Sequence, residues 1–108
     1  MQEHPIHESL YGTLDRLVRT MAPEAVILFG SRAKGAARPG SDIDLLVIAR
    51  ATGDAEFHLR QARQVAARSF PRVDLVLCTP GDVEQAQAGK LPFVQSAIET
   101  GIVLYRRP

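Results

Sequence analysis

Three aspartates lie at the beginnings of apolar segments, where a charged side chain does not favour the stability of the fold. Asp42 and Asp44 open the run DIDLLVIA, and Asp74 is the second residue of VDLVLC. Alternate side chains of a strand share a face, so Asp42 and Asp44 project to one side, about 6.6–7 Å apart. Isolated carboxylates are costly to bury, and several together repel one another unless a cation lies between them. This chemistry favours Mg²⁺, which prefers carboxylate, phosphate and water oxygens.

A glycine–serine pair follows the first apolar segment and has the residue types of a phosphate-binding turn. Gly30 lets a phosphate approach the backbone, and the Ser31 hydroxyl with neighbouring amides can hold its oxygens. Arg32 and Lys34 add positive charge, although each is equally compatible with a solvated surface position. Gly-Ser alone is more typical of an ordinary turn. The informative feature is the spacing, because ten residues separate Ser31 from Asp42.

Alternating helical and strand patterns must position these residues. Apolar spacing predicts helices over 7–21, 55–70 and 91–100 and a shorter one from residue 80, and it predicts strands over 25–29, 42–49, 73–78 and 102–105. The core face of the second helix is predicted to contain Leu59, Ala62, Val65, Ala66 and Phe70. Ser31 is predicted to cap one or two helical turns over 31–37, and Gly101 to end the last helix. The alternation predicts an α/β (α+β) fold, a small mixed sheet of three to four strands flanked by helices.

Composition limits the function classes. The 108 residues are expected to form a single domain, 1–108, with 13 basic and 12 acidic residues and a formal net charge of +1. That balance argues against a protein that wraps nucleic acid or lies on an anionic membrane. Neither a signal peptide nor a membrane-spanning apolar run is predicted. A single cysteine, Cys78, excludes an intrachain disulfide and indicates a reducing, cytoplasmic setting, with Cys78 as an inert core thiol.

The motifs together resemble a known family. Gly30-Ser31, ten residues and then Asp42-Ile43-Asp44 match the signature of the polymerase-β-like nucleotidyltransferase superfamily. The segments LFGSRAKG (28–35) and SDIDLLV (41–47) are similar to its minimal nucleotidyltransferase branch, and Asp74 falls where that family keeps a third acid. The last helix and strand, over 98–105, also look like those of the family. The resemblance spans almost the whole chain, and no motif position departs from the pattern.

The resemblance implies a polymerase-β-like fold and a role for each motif residue. Asp42 and Asp44 would bind two Mg²⁺ ions that bridge the triphosphate of ATP. Asp74 would join the metal site and help to deprotonate the attacking hydroxyl. Gly30 and Ser31 would hold the β- and γ-phosphates, with Arg32 and Lys34 as weaker nucleotide contacts. In-line attack on the α-phosphorus would release pyrophosphate and leave AMP on the acceptor, in agreement with two-metal chemistry.

The resemblance also implies a partner. The sequence continues only about three residues beyond its last predicted strand, so we expect another molecule to present the acceptor. In the minimal branch this partner is a HEPN-domain toxin encoded by the adjacent gene. The implied system is a type VII-like toxin–antitoxin pair, in which the antitoxin transfers AMP to a tyrosine of the HEPN ribonuclease and forms a hetero-oligomer with it. No direct contact with nucleic acid or membrane is expected.

Other interpretations remain open at this point. The protein could neutralise a toxin by binding alone, or it could modify a small hydroxylated molecule such as an aminoglycoside. A dinucleotide-binding domain is disfavoured, because Gly30 is not part of a G-x-G-x-x-G run. His4 and His7 form a poor metal pair near the N-terminus. Arg60, Arg63 and Arg68 indicate a solvated helix face or a partner surface.

Overall fold

A mixed sheet lies between two pairs of helices. The computed structural model describes residues 8–38, 40–68 and 71–108, so the features predicted at His4, His7 and Phe70 lie outside the described residues. In chain order the elements are α1 (Glu8–Met21), β1 (Ala25–Phe29), β2 (Ile43–Ile48), α2 (Gly53–Ala66), β3 (Val73–Cys78), α3 (Pro80–Gln87), α4 (Pro92–Thr100) and β4 (Ile102–Arg106). None of these helices is long and apolar enough to cross a membrane.

The strand order across the sheet is β3-β2-β1-β4. β1 pairs antiparallel with both β2 and β4, whereas β2 pairs parallel with β3. A parallel pair needs a crossover connection, and α2 supplies it between β2 and β3. The predicted small mixed sheet flanked by helices is therefore confirmed, with four strands.

Each face of the sheet is covered by one pair of helices. On the first face, Ile43, Leu45 and Val47 of β2 lie in a large core with the apolar sides of α1 and α2. Because side chains alternate along a strand, these three residues point away from the face that contains Asp44. On the second face, Leu46 and Ile48 pack in a smaller cluster with side chains of α3 and α4. Residues of β2 with even numbers therefore belong to the second face.

Three local predictions are corrected. The ladder to β3 begins when the Ile43 N–H donates to the Arg72 carbonyl at 2.8 Å, so Asp42 precedes β2 instead of opening it. Ser31 is not a helix cap, since it lies inside a single 3-10 turn, Gly30–Arg32, whose N-cap position is Phe29. Val65 is 45% exposed because it lies roughly a quarter turn around α2 from the buried stripe.

Arg63 has a structural role that the helical pattern does not reveal. Its Nε and Nη2 donate to the Leu75 carbonyl of β3 at 3.2 and 3.0 Å. β3 is an edge strand, and edge carbonyls without partners invite pairing with other chains. Arg63 is therefore not simply a solvated charge on α2. It ties the helix to the strand that contains Asp74.

Gly101 joins α4 to β4 where no side chain fits. Its N–H donates to the Ala97 carbonyl at 2.9 Å, which confirms it as the C-cap. A Cβ at this position would approach the Leu28 carbonyl to 2.8 Å and would also collide with the Ala97 carbonyl and the Ile27 side chain. Since φ is −79° here, the requirement for glycine comes from close packing and not from backbone conformation.

We expect Gly101→Ala to lower the free energy of unfolding by about 1–3 kcal/mol, because the added methyl group must displace backbone atoms of β1 or α4. Gly12→Ala is the matched control, since a Cβ at Gly12 in α1 would meet nothing within 4 Å. That variant should gain roughly 0.5–1 kcal/mol through helix propensity. Urea denaturation measures both values. Equal effects of the two substitutions would contradict the packing argument.

Candidate active site

Strand pairing brings the predicted carboxylates together. Asp44 of β2 and Asp74 of β3 are directly paired in the parallel register. Both lie on the second face of the sheet, since Leu46 and Val76, two residues further along the same strands, pack in the cluster of that face. Asp42 stands two residues before Asp44. The three acids predicted from separate parts of the sequence therefore meet at one end of the β2–β3 pair.

Arg72 joins this cluster, and the sequence reasoning missed it. Its Nη2 lies 2.8 Å from Oδ2 of Asp42 and 3.5 Å from Oδ2 of Asp74. The hydrogen bond that Arg72 donates to Asp42, and then the charges of Asp42 and Asp74, raise the pKa of Arg72 above its ordinary value. Its position in the sequence could have indicated this contact, because Arg72 precedes Asp74 by two residues just as Asp42 precedes Asp44.

Asp44 is the least compensated member of the cluster. Burial first, and the charges of Asp74 and Asp42 second, raise the pKa of the Asp44 carboxyl, while Arg72 lowers it. Unlike the carboxylates of Asp42 and Asp74, the carboxylate of Asp44 has no hydrogen-bond or ion-pair partner within the described residues. Its ionised form therefore has the greatest need of a cation.

The carboxylates of this cluster could supply some, but not all, of the ligands of an Mg²⁺ ion. In residues 8–38, 40–68 and 71–108, no group of three or more His, Cys, Asp or Glu side chains is arranged to hold a metal ion by itself. Mg²⁺ commonly takes one or two carboxylates and completes its octahedral shell with water and substrate phosphate oxygens. The carboxylates of Asp42, Asp44 and Asp74 thus fit an ion that binds together with a nucleotide.

Gly30 lies against the Asp44 carboxylate, in a position that favours glycine. Its φ is +77°, in the left-handed region that favours glycine. A Cβ at Gly30 would also collide with Oδ2 of Asp44. The contact follows from the register, since Phe29 is paired with Asp44 in the antiparallel ladder of β1 and β2. The predicted phosphate-binding turn is therefore adjacent to the predicted metal ligands.

The other residues predicted to bind nucleotide differ in their surroundings. Ser31 follows Gly30 in the 3-10 turn, and its side chain has no hydrogen-bond partner within the described residues. Arg32 is engaged, because its Nε and Nη2 donate to the Ser41 carbonyl at 3.2 and 2.8 Å. That contact fixes the backbone immediately before Asp42. Lys34 is exposed and lines a groove beside Gly30.

Comparison with known proteins identifies the family. A family model described as polymerase beta, nucleotidyltransferase, matches residues 13–108. The chain belongs to this nucleotidyltransferase family. The match covers both the Gly30-Ser31 turn and the three acids, and it confirms the superfamily that the motifs resemble. No curated protein sequence matches the chain.

Two of the solved structures that are similar to this chain show what proteins share its fold. A protein from Sulfolobus solfataricus, provisionally assigned as a nucleotidyltransferase, aligns with a TM-score of 0.63 over 93% of this chain and 79% of its own, at 18% identity. A toxin–antitoxin structure with AMP-PNP aligns with a TM-score of 0.57 over 94% of this chain and 75% of its own, at 25% identity. The first supports the polymerase-β-like nucleotidyltransferase fold. The second associates this fold with toxin–antitoxin systems.

Gly30→Ala should weaken Mg²⁺-dependent nucleotide binding at least tenfold, because the methyl group must displace either the turn or the Asp44 carboxylate. Gly35→Ala separates this contact from backbone strain. Gly35 also has a left-handed φ of +72°, but a Cβ there would meet nothing within 4 Å. Both variants should lose about 1 kcal/mol or more of stability. Calorimetric titration with Mg²⁺ and ATP, alongside urea denaturation, distinguishes them. Equal nucleotide affinities for the two variants would be inconsistent with the proposed contact.

Asp44→Asn should stabilise the protein at pH 7 in the absence of divalent cations. A carboxyl whose folded-state pKa is raised contributes stability below its unfolded pKa, and that contribution is lost as pH rises through the folded pKa. Asparagine avoids this loss, so the variant should gain less than about 1 kcal/mol at pH 7, discounted for partial exposure. The gain should vanish near pH 3, where wild-type Asp44 is also protonated.

The control for this comparison is Asp15→Asn, since Asp15 pairs with Arg19 at 2.8 Å on the exposed surface of α1. That variant should be unchanged or slightly less stable at pH 7. Thermal unfolding in chelator at both pH values measures the effect. Destabilisation of Asp44→Asn at pH 7 would contradict the argument that burial and the neighbouring charges disfavour the ionised Asp44 carboxylate.

Proposed function

We propose that residues 1–108 act as one Mg²⁺-dependent adenylyltransferase domain, the antitoxin of a toxin–antitoxin pair, which transfers AMP from ATP to a tyrosine of a HEPN ribonuclease toxin. The observation that carries the proposal is the pairing of Asp44 with Asp74 directly beside Gly30, in a chain that belongs to the nucleotidyltransferase family. The similar toxin–antitoxin structure supports a toxin as partner.

ATP is the proposed nucleotide, and the AMP-PNP in that toxin–antitoxin structure supports an adenine nucleotide. Gly30 and Ser31 would donate backbone N–H groups, and Ser31 its hydroxyl, to the β- and γ-phosphates. Arg32 and Lys34 would add positive charge nearby. Asp42, Asp44 and Asp74 would hold Mg²⁺. When bound, the metal would supply charge stabilisation to the attacking and leaving oxygens of an in-line displacement.

The proposed transfer balances as one bond formed and one broken. The tyrosine oxygen forms a bond to the α-phosphorus while the bond from that phosphorus to the β-bridging oxygen breaks, and pyrophosphate leaves. Asp74 would accept the proton from the tyrosine hydroxyl. Gly30 and Ser31 hold the departing pyrophosphate, so the tyrosine must approach from the opposite side of the α-phosphorus.

Arg72 would act as a positioning residue in this reaction. One nitrogen, Nη2, approaches one oxygen, Oδ2, of both Asp42 and Asp74. The guanidinium can thus hold the two carboxylates in place while an oxygen of each remains available as a ligand. Its permanent charge also reduces their mutual repulsion before a cation arrives.

The proposed setting is the cytoplasm, with the antitoxin bound to its toxin in a hetero-oligomer and without direct contact to nucleic acid. Cys78 is consistent with a reducing compartment, because it is buried and free. Burial, and secondarily the charge of Asp82, raises the pKa of this thiol to about 11, so it is poorly reactive.

The experiment is AMP transfer from labelled ATP to the HEPN protein encoded beside this chain, in the presence of Mg²⁺. Wild-type protein should label the toxin on tyrosine, and Asp42→Asn with Asp44→Asn should reduce the rate by at least about 10³-fold, because both carboxylates act on the reacting phosphate. Asp15→Asn is the matched control and should retain the wild-type rate. Circular dichroism confirms that each variant is folded.

The same variants separate catalysis from binding in cells. If Asp42→Asn with Asp44→Asn neutralises the toxin at the wild-type dose, neutralisation occurs by sequestration and the catalytic proposal is wrong. Absence of label on the toxin, together with label on a small hydroxylated acceptor, would instead identify a small-molecule nucleotidyltransferase.

A further inference from the structure

A row of three side chains crosses the second face of the sheet. Asp74 is paired with Asp44, and Asp44 is paired in turn with Phe29. Adjacent strands lie about 4.8 Å apart, so the row is about 10 Å long, with two carboxylates at one end and an aromatic ring at the other. By themselves the two carboxylates repel an anion, so the anionic part of a ligand would match this end only together with Mg²⁺. An apolar planar part of the same ligand would match the aromatic end.

The aromatic end of the row opens into a groove of about 220 Å³ between β1 and α4. Its lining includes Phe29, Gly30 and Lys34 on one side and Phe93 and Ser96 on the other. The rings of Phe29 and Phe93 lie edge to face, with centroids 5.5 Å apart and planes at 86°. Edge-to-face geometry leaves at least one face of the Phe93 ring uncovered by Phe29.

Phe93 is unusually exposed for a phenylalanine that contacts the site. Its exposure is 59%, and it occupies the first turn of α4. The side chain of Ser96, one turn further, has no hydrogen-bond partner within the described residues, although its carbonyl accepts from Thr100. An exposed ring and an unengaged hydroxyl therefore face the same groove, next to the cation of Lys34.

We propose that this groove binds the base of the nucleotide substrate, with the base stacked on Phe93 and its polar edge near Ser96. The inference rests on the proposed function, since it assumes that the phosphates lie at Gly30-Ser31 and at the acids. The groove is continuous with Gly30, and Lys34 at its wall complements a ligand that carries phosphates.

The acceptor tyrosine is a poorer occupant of the groove. In-line displacement places the attacking oxygen and the departing pyrophosphate on opposite sides of the α-phosphorus. The groove shares Gly30 with the turn that holds the pyrophosphate, so it lies on the wrong side for attack. Stacking on an aromatic ring is also tolerant of base identity, because every base has a π-face.

The test compares two ligands that differ in the base. Calorimetric titrations measure binding of Mg²⁺–ATP and of Mg²⁺–tripolyphosphate, which has the phosphates without ribose or base. Phe93→Ala should weaken ATP binding about tenfold and leave tripolyphosphate binding unchanged. Phe93→Tyr keeps the ring and should bind ATP as the wild type does. Phe57→Ala removes a similarly exposed ring, 52% exposed on α2, and should change neither affinity.

Each of the other possible results contradicts the base-binding groove. Unchanged ATP binding by Phe93→Ala overturns the base-binding groove and leaves the proposed function intact. Equal weakening of both ligands also overturns it, because the substitution then acts through the phosphate site. If the folded wild-type protein binds neither ligand, the failure lies with the proposed function itself, and the groove proposal falls with it.

Discussion

The parallel pairing of β2 with β3 is the constraint on which the site depends. It places Asp44 against Asp74 with Asp42 close by, so three like charges converge where the sheet ends. Such an arrangement opposes folding unless it is compensated. Arg72 compensates Asp42 and Asp74 from the solvent side, whereas Asp44 is left with a raised pKa. The electrostatics that disfavour the ionised cluster are therefore the same property that would favour binding of a cation.

The first face of the sheet supplies the stability that this cluster requires. Along β2, Asp44 alternates with Ile43, Leu45 and Val47, and these three apolar side chains are buried in the core with α1 and α2. Burial of such side chains contributes roughly 1.5–3 kcal/mol each, more than partly exposed carboxylates are expected to cost. Arg63 adds a tie between α2 and the carbonyl edge of β3. One strand can therefore anchor the core on one face and present Asp44 on the other, because its side chains alternate.

Two glycines near the second face of the sheet are required for different physical reasons. Gly30 is required both by a left-handed φ and by the closeness of Asp44, which makes it part of the site. Gly101 has an ordinary φ and is required only because α4 packs tightly against β1. That tight junction sets α4 beside Phe29, and the groove between them is its consequence. The position of the groove thus follows from the way the last helix is attached to the sheet.

Local patterning in the sequence predicts most of the fold and most of the candidate site. Apolar periodicity determines the strands, and the spacing of Gly30-Ser31 and the three acids indicates a nucleotidyltransferase, because these signals depend on residues near one another in the chain. The exposure of Val65 and the start of β2 after Asp42 were not predictable, since packing and ladder register decide them. Only the tertiary structure decided the contact of Arg72 with the acids and the contact of Phe93 with Phe29. Both contacts join separate elements, and only the pairing and packing of those elements bring the side chains together.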